Sequence, residues 1–281
     1  MKPTTDSPCA RALAASLRGI RGESGLSLSH VARMLDMEKG MLSFWERCLR
    51  LPRPDQVARL LGCLRVSEDR YERLMNMAYH ARDTNWLPPG VAEDSTELSP
   101  GLIGVMECER VAKQITTWQP VVVPGLLQTA DYARAIISEG DISLEQADLL
   151  LITRLSRQNI LTRQNPVQLL AIIAESVLLN EVGNEDIMSD QIDHLLRMID
   201  LPHVSVRIVP DERKYHRGKN DSFVLYEFDD QVPVLYAEHT TGGSFRTEEQ
   251  KIASHRGLAT VLLDKAMTEE ASRMRLKEAV R

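Results

Sequence analysis

The sequence predicts an α+β chain: a five-helix bundle over the first eighty residues, then a mixed α/β domain in which helices cover a small sheet. Three observations lead there. Short segments with apolar residues at helical spacing crowd residues 10–81, with recognisable start and stop signals between them. Four runs rich in β-branched and other apolar residues follow residue 166. Between the two regions, Asn85-Trp-Leu-Pro-Pro-Gly through Ser99-Pro-Gly101 lacks periodicity and is rich in Pro, Gly and acid. The expected division is residues 1–82, a linker at 83–100, and residues 101–281.

The first-region helices are expected at 10–19, 28–35, 39–48, 55–64 and 68–81. Gly25 closes the first connection, Ser27 can cap the second helix, and Pro52 and Pro54 open the fourth. Ser67 can cap the fifth, with Glu68 and Asp69 in its first turn, where the helix dipole favours them. In the second region, 102–117 reads as a helix through Ile103, Met106, Val111 and Ile115, followed by a short strand at 121–123. Pro124-Gly125 turns into a helix running through Tyr132 and Ile136, and 143–161 is a longer helix. Residues 167–174 read as a buried central strand, 187–199 as a helix, and 204–209, 222–228 and 232–237 as further strands. The last two strands flank Asp229-Asp230-Gln231, a hairpin turn. Thr247-Glu-Glu-Gln250 matches a capping box opening a helix to about residue 267, and 269–279 is a final helix.

Composition narrows the function classes. The 281 residues are 43% hydrophobic, which excludes wholesale disorder, and there is no apolar run long enough to span a membrane. Met1 to Pro8 has no apolar stretch of the secretory kind, so a cytoplasmic chain is expected. Cys9, Cys48, Cys63 and Cys108 are far apart and form no CxxC pair, which points to reduced thiols and no zinc site. The formal charge of −6 hides an asymmetry. Residues 1–80 carry 13 Lys and Arg against 9 Asp and Glu, a balance of +4, and the remainder stands at −10. A polyanionic partner is therefore expected to meet the head.

The most informative segment is LSHVARMLDMEKGMLSFWER, residues 28–47. Two helices crossing through a tight turn need small and apolar residues at set places. Val31, Ala32, Leu35, Met37, Leu42 and Trp45 supply them, and Asp36 takes the turn position, which requires a positive φ. With Trp45-Glu46-Arg47 at its end, the stretch from about residue 13 to 64 resembles the XRE-type, phage-repressor-like helix-turn-helix family. The resemblance implies a five-helix bundle with residues 39–47 in the major groove of duplex DNA. It also implies a buried ion pair between Arg21 and Glu46. Two positions depart from the family: Leu28 stands where Gln is common, and Cys48 where Gly is usual.

On that geometry the DNA-binding candidates are Ser27, Glu38, Lys39, Gly40, Ser43, Phe44, Arg47, Arg50 and Arg53. Lys39 can donate to guanine or phosphate, Glu38 can accept from cytosine, and Phe44 can pack on a thymine methyl. Arg47, Arg50 and Arg53 suit phosphates, which position the domain without reading sequence. Solvated charge on a protein-binding bundle is the plainer alternative.

The second region carries Glu107-x-Glu109-x-x-Ala112, Trp118-Gln-Pro-Val-Val-Val-Pro-Gly-Leu-Leu-Gln-Thr129, Asp131-Tyr-Ala-Arg134, Arg157-Gln158, Ala174-Glu175, Gln191-x-x-His194-Leu195 and Tyr236-x-Glu238. In that order they resemble the C-terminal domain of WhiJ-like regulators, large XRE proteins with a companion domain of unknown function. No catalytic, metal or cofactor constellation stands out among the seven histidines. Glu238-His239 faces opposite sides of a strand, Gly218-Lys219 lacks phosphate-loop spacing, and the charged loop at 211–220 reads as solvated. Candidate ligand or partner residues are Glu107, Arg134, Arg157, Glu175 and Glu238, with internal ion pairing as the alternative.

The reading is a homodimeric, non-enzymatic transcription regulator that binds an inverted-repeat operator. Its second domain dimerises and senses a small neighbouring-gene protein or a small molecule. An antitoxin-like protein-binding module and a DNA-tethered enzyme remain as alternatives.

Overall fold

The computed structural model describes residues 8–82, 98–140, 142–211, 215, 217–219, 222–229, 232–239 and 242–280. It divides into two compact units, one comprising residues 1–90, 99–108 and 241–247, the other 91–98, 109–240 and 248–281. Most of the expected linker, 83–97, lies outside the described residues.

The first unit holds α1 (Pro8–Glu23), α2 (Leu28–Met34), α3 (Lys39–Glu46), α4 (Pro54–Cys63) and α5 (Glu68–His80). Leu13, Leu17, Val31, Leu42, Trp45, Val57, Leu60, Leu61 and Met77 form its core. Their spacing is why these segments coil, since each helix buries one stripe. The capping chemistry is local. Ser27 Oγ accepts from the His30 amide, and Pro54 opens α4 at its first position. Asp36 bridges α2 and α3 at φ 52°, and Gly25 sits at φ 68°.

The second fold element set begins with α6 (Pro100–Val111) and then β1 (Gln114–Gln119). This corrects the expected helix at 102–117. Helical periodicity ends at Val111, and Ile115-Thr-Thr-Trp118 is a β-branched and aromatic run that pairs on both sides, Ile115 with Leu169 and with Tyr226. The expected strand at 121–123 is also absent: these residues lie between Pro120 and Pro124, with Val121 60% exposed. A 3₁₀ turn (Gly125–Leu127) then precedes α7 (Ala130–Ser138) and α8 (Leu144–Arg157), and a second 3₁₀ turn carries α8 on to Leu161. After these come β2 (Gln168–Ala174), α9 (Glu185–Met198), β3 (Val204–Val209), β4 (Phe223–Glu227), β5 (Val234–His239) and β6 (Gly242–Arg246). The helices α10 (Glu249–Lys265) and α11 (Glu269–Ala279) close the chain. Glu248, not Thr247, occupies the N-cap position of α10, and β6 has no counterpart in the sequence reading because its Gly-Gly-Ser opening lacks a strand pattern.

The sheet order is β3-β2-β1-β4-β5-β6, parallel across β1, β2 and β3 and antiparallel across β1, β4 and β5. One face buries Trp118, Ile172, Phe223, Leu225 and Leu235 against Ile252, Ala259 and Leu262 of α10. Strand alternation sends Tyr226, Tyr236 and Glu238 to the opposite face. Residues 230–231 of the hairpin turn, and much of the 211–220 loop, lie outside the described residues. Within that loop Gly218 is buried and its carbonyl accepts from Trp118 Nε1 at 2.7 Å.

Candidate functional site

Two sites emerge, one in each unit. In the first, α3 separates its faces cleanly. Leu42, Trp45 and Glu46 are buried, while Lys39, Gly40, Phe44 and Arg47 are exposed and Ser43 is half-buried. Gly40, Ser43, Phe44 and Arg47 fall at the i, i+3, i+4, i+7 positions of one helical stripe, and Glu38, Lys39 and Arg50 are exposed beside it. Arg53 is exposed too, but both arms of its guanidinium are engaged by Asp55 at 2.9 and 3.0 Å. Ser27 spends its hydroxyl on the α2 cap. Beneath the stripe, Arg21 grips Glu46 through two hydrogen bonds of 2.6 and 2.9 Å and donates a third to the Leu26 carbonyl. The Glu46 hydrogen bond raises the Arg21 pKa against the lowering effect of burial. Arg18 adds a bond to the Glu46 carbonyl, and Arg59 donates to the Leu35 carbonyl at the end of α2. The sequence reading missed Arg18 and Arg59; both are long cations on helices with no local motif to mark them.

The second site is a network of buried and half-buried polar side chains around the Val-Pro-Gly-Leu-Leu-Gln-Thr turn. Several backbone groups of that turn are held from other elements. Gln191, fully buried on α9, donates to the Leu127 carbonyl and accepts from the Thr129 amide, both at 2.7 Å. Gln158 donates to the Gln128 carbonyl at 2.7 Å, and the Tyr132 hydroxyl accepts from the Val123 amide. Gln128 Nε2 donates to the Val123 carbonyl, which aims its Oε1 at Arg154 Nη1, 2.9 Å away. One turn along α8, Arg157 makes a two-armed pair with Glu109 at 2.7 and 2.9 Å, and the Glu109 side chain is 3% exposed.

The electrostatics of the network follow. Burial disfavours the Arg157 charge, but Glu109 outweighs it, with smaller pulls from Tyr226 and Glu238, so its pKa is raised. Burial lowers the pKa of Arg154, and the charge of Arg157 lowers it further, with Glu238 only partly offsetting them. Burial, then Glu238, pushes the Tyr236 hydroxyl upward.

Of the candidate ligand residues, Arg157 belongs to this network through its Glu109 pair, while Glu238 is exposed on β5 and acts on Arg154 and Arg157 only through its charge. Glu107 instead pairs with Arg18 at 3.1 Å, Arg134 with Asp148 at 2.9 Å, and Glu175 with Arg275 at 2.7 Å. Arg154 was missed. Its signal was available, because Ala147, Leu151, Arg154 and Gln158 form one stripe and the first two are buried. Among the described residues no group of three or more His, Cys, Asp and Glu is placed to hold a metal, and no helix is long and apolar enough to cross a membrane.

A family model described as "Domain of unknown function (DUF5753)" matches residues 103–278. The chain belongs to that family. The matched stretch of the DUF5753 protein contains the whole polar network and Glu238. No curated protein and no solved structure matches the chain.

Proposed function

We propose that this DUF5753 protein is an XRE-type, sequence-specific transcription regulator, working in the cytoplasm without catalysing a reaction. Residues 1–82 bind duplex DNA, and residues 101–281 dimerise and sense an effector. The observation that carries the reading is the two-faced α3: its apolar side is sealed by Leu42 and Trp45, and its outward face offers Lys39, Phe44 and Arg47. A helix so held presents donors and an apolar contact to base edges, while Arg47 and Arg50 neutralise phosphates. Arg53 is a weaker candidate than its exposure implies, since Asp55 already occupies its guanidinium.

The test is selection of the full-length protein on random duplex DNA, followed by titration of the selected site at several salt concentrations. Affinity falls steeply with salt, and removing one phosphate-contacting arginine reduces the log–log slope by about 0.9. No enriched sequence, or a flat salt dependence, overturns the DNA reading. A second reading, docking of a small protein on the second unit, draws on Val121 and Leu179, 60% and 66% exposed on loops tied by the Asn180 bond to the Val121 carbonyl. Loss of partner capture in a Val121→Ser, Leu179→Ser variant with DNA binding intact is the result it requires.

A further inference from the structure

We infer that Arg154 anchors a binding site for a small oxyanion, a carboxylate or phosphate carried by a free small molecule. The inference deepens the effector half of the proposed function and rests on it only for its regulatory meaning. Arg154 is a half-buried guanidinium whose neighbours leave its charge without a contacting carboxylate among the described residues. Its one hydrogen bond goes to the neutral Gln128 Oε1, and among the described residues no Asp or Glu oxygen lies within 4.0 Å of it. The nearest strong charge on its own helix, Arg157, is a like charge already neutralised by Glu109. A guanidinium forced into such a place disfavours the folded state unless something compensates it.

The surroundings are built rather than incidental. Gln128 cannot turn its amide over without losing the Val123 carbonyl, so its oxygen is fixed on Arg154 and sets the plane of the guanidinium. The turn carrying Gln128 is in turn pinned by Gln158 and Gln191. Glu238, exposed on β5, acts electrostatically on both arginines and is the counter-charge that an entering anion would oppose. A planar donor fork held at one arm by Gln128, with no carboxylate in contact among the described residues, matches a carboxylate or phosphate oxygen.

Inorganic phosphate and citrate serve as probes on the full-length protein without DNA, by calorimetric titration and thermal unfolding against sodium chloride of equal ionic strength. At least one of them binds and raises the unfolding temperature. Arg154→Gln weakens that binding about tenfold or more, Arg154→Lys weakens it less, Glu238→Gln tightens it, and Arg134→Gln leaves it unchanged. In chloride alone, Arg154→Gln is at least as stable as the parent, because an uncompensated charge has been removed. Absence of binding by both anions, unaltered binding in Arg154→Gln, or a lower unfolding temperature of Arg154→Gln in chloride overturns the site. Anion binding that leaves affinity for the selected DNA unchanged removes the effector role while the site stands.

Discussion

At the scale of single residues, ionic pairs decide more than the surface charge pattern. Arg21 and Glu46 are the clearest case: both arms of the guanidinium are used, and the carboxylate side chain is 5% exposed. Glu46→Ala strands the cation and is expected to cost about 2–3 kcal/mol, discounted from a fully buried pair because Arg21 keeps partial access to water. Urea unfolding of the full-length variant measures it. Glu175 gives a pH signature. Its hydrogen bond from Arg275 holds the carboxyl below the ordinary glutamate range, against burial and with help from the Asp211 amide. A carboxylate lowered in the folded state stabilises above its unfolded pKa, and that stabilisation fades as pH falls through the folded one. Glu175→Gln should therefore cost about 1–2 kcal/mol at pH 7 and nothing once the parent carboxyl is protonated. Equal differences at pH 7 and pH 3 would count against the pairing. Cys48 offers the opposite sign. It sits at φ 54°, a conformation that glycine adopts without strain, so Cys48→Gly should gain about 0.5–1 kcal/mol after the entropy of the unfolded glycine is set against it.

At the scale of elements, the turn at Val123–Thr129 shows how a sequence motif is tied to its surroundings. Pro124 and Gly125 set the bend, but three side chains from α7, α8's end and α9 hold parts of its backbone. Gln191→Leu preserves volume and leaves the Leu127 carbonyl and Thr129 amide buried without partners. The expected loss is about 2–4 kcal/mol, read as a fall in the thermal midpoint of the second unit. Sequence reading placed α1 through α5, α7, α9 and the strands β2 to β5 close to their observed bounds, because each has its own apolar period and end signals. It carried the helix that ends at Val111 on to residue 117, and that error has a physical reason. Ile115 fits a helical stripe and a strand equally well, and only pairing with Leu169 and Tyr226 on neighbouring strands selects extension.

At the scale of the whole molecule, one recognition helix reads only a few base pairs, so specificity in the proposed function requires two copies. The full-length protein is expected to scatter light as a dimer at micromolar concentration and to select inverted half-sites about 34 Å apart. A monomer that binds single half-sites is the outcome that defeats this. The sequence by itself determined the division into a helical head and a mixed α/β remainder, the helix-turn-helix packing set, and the sign of charge in each part. These depend on periodicity and composition, which are local. Tertiary structure alone decided that Glu107, Arg134 and Glu175 are engaged by Arg18, Asp148 and Arg275, that β1 is a strand, and that Arg154 meets Gln128 and, among the described residues, no carboxylate. Those outcomes depend on which residues meet across 14 to 100 positions of chain. No window of sequence contains that distance.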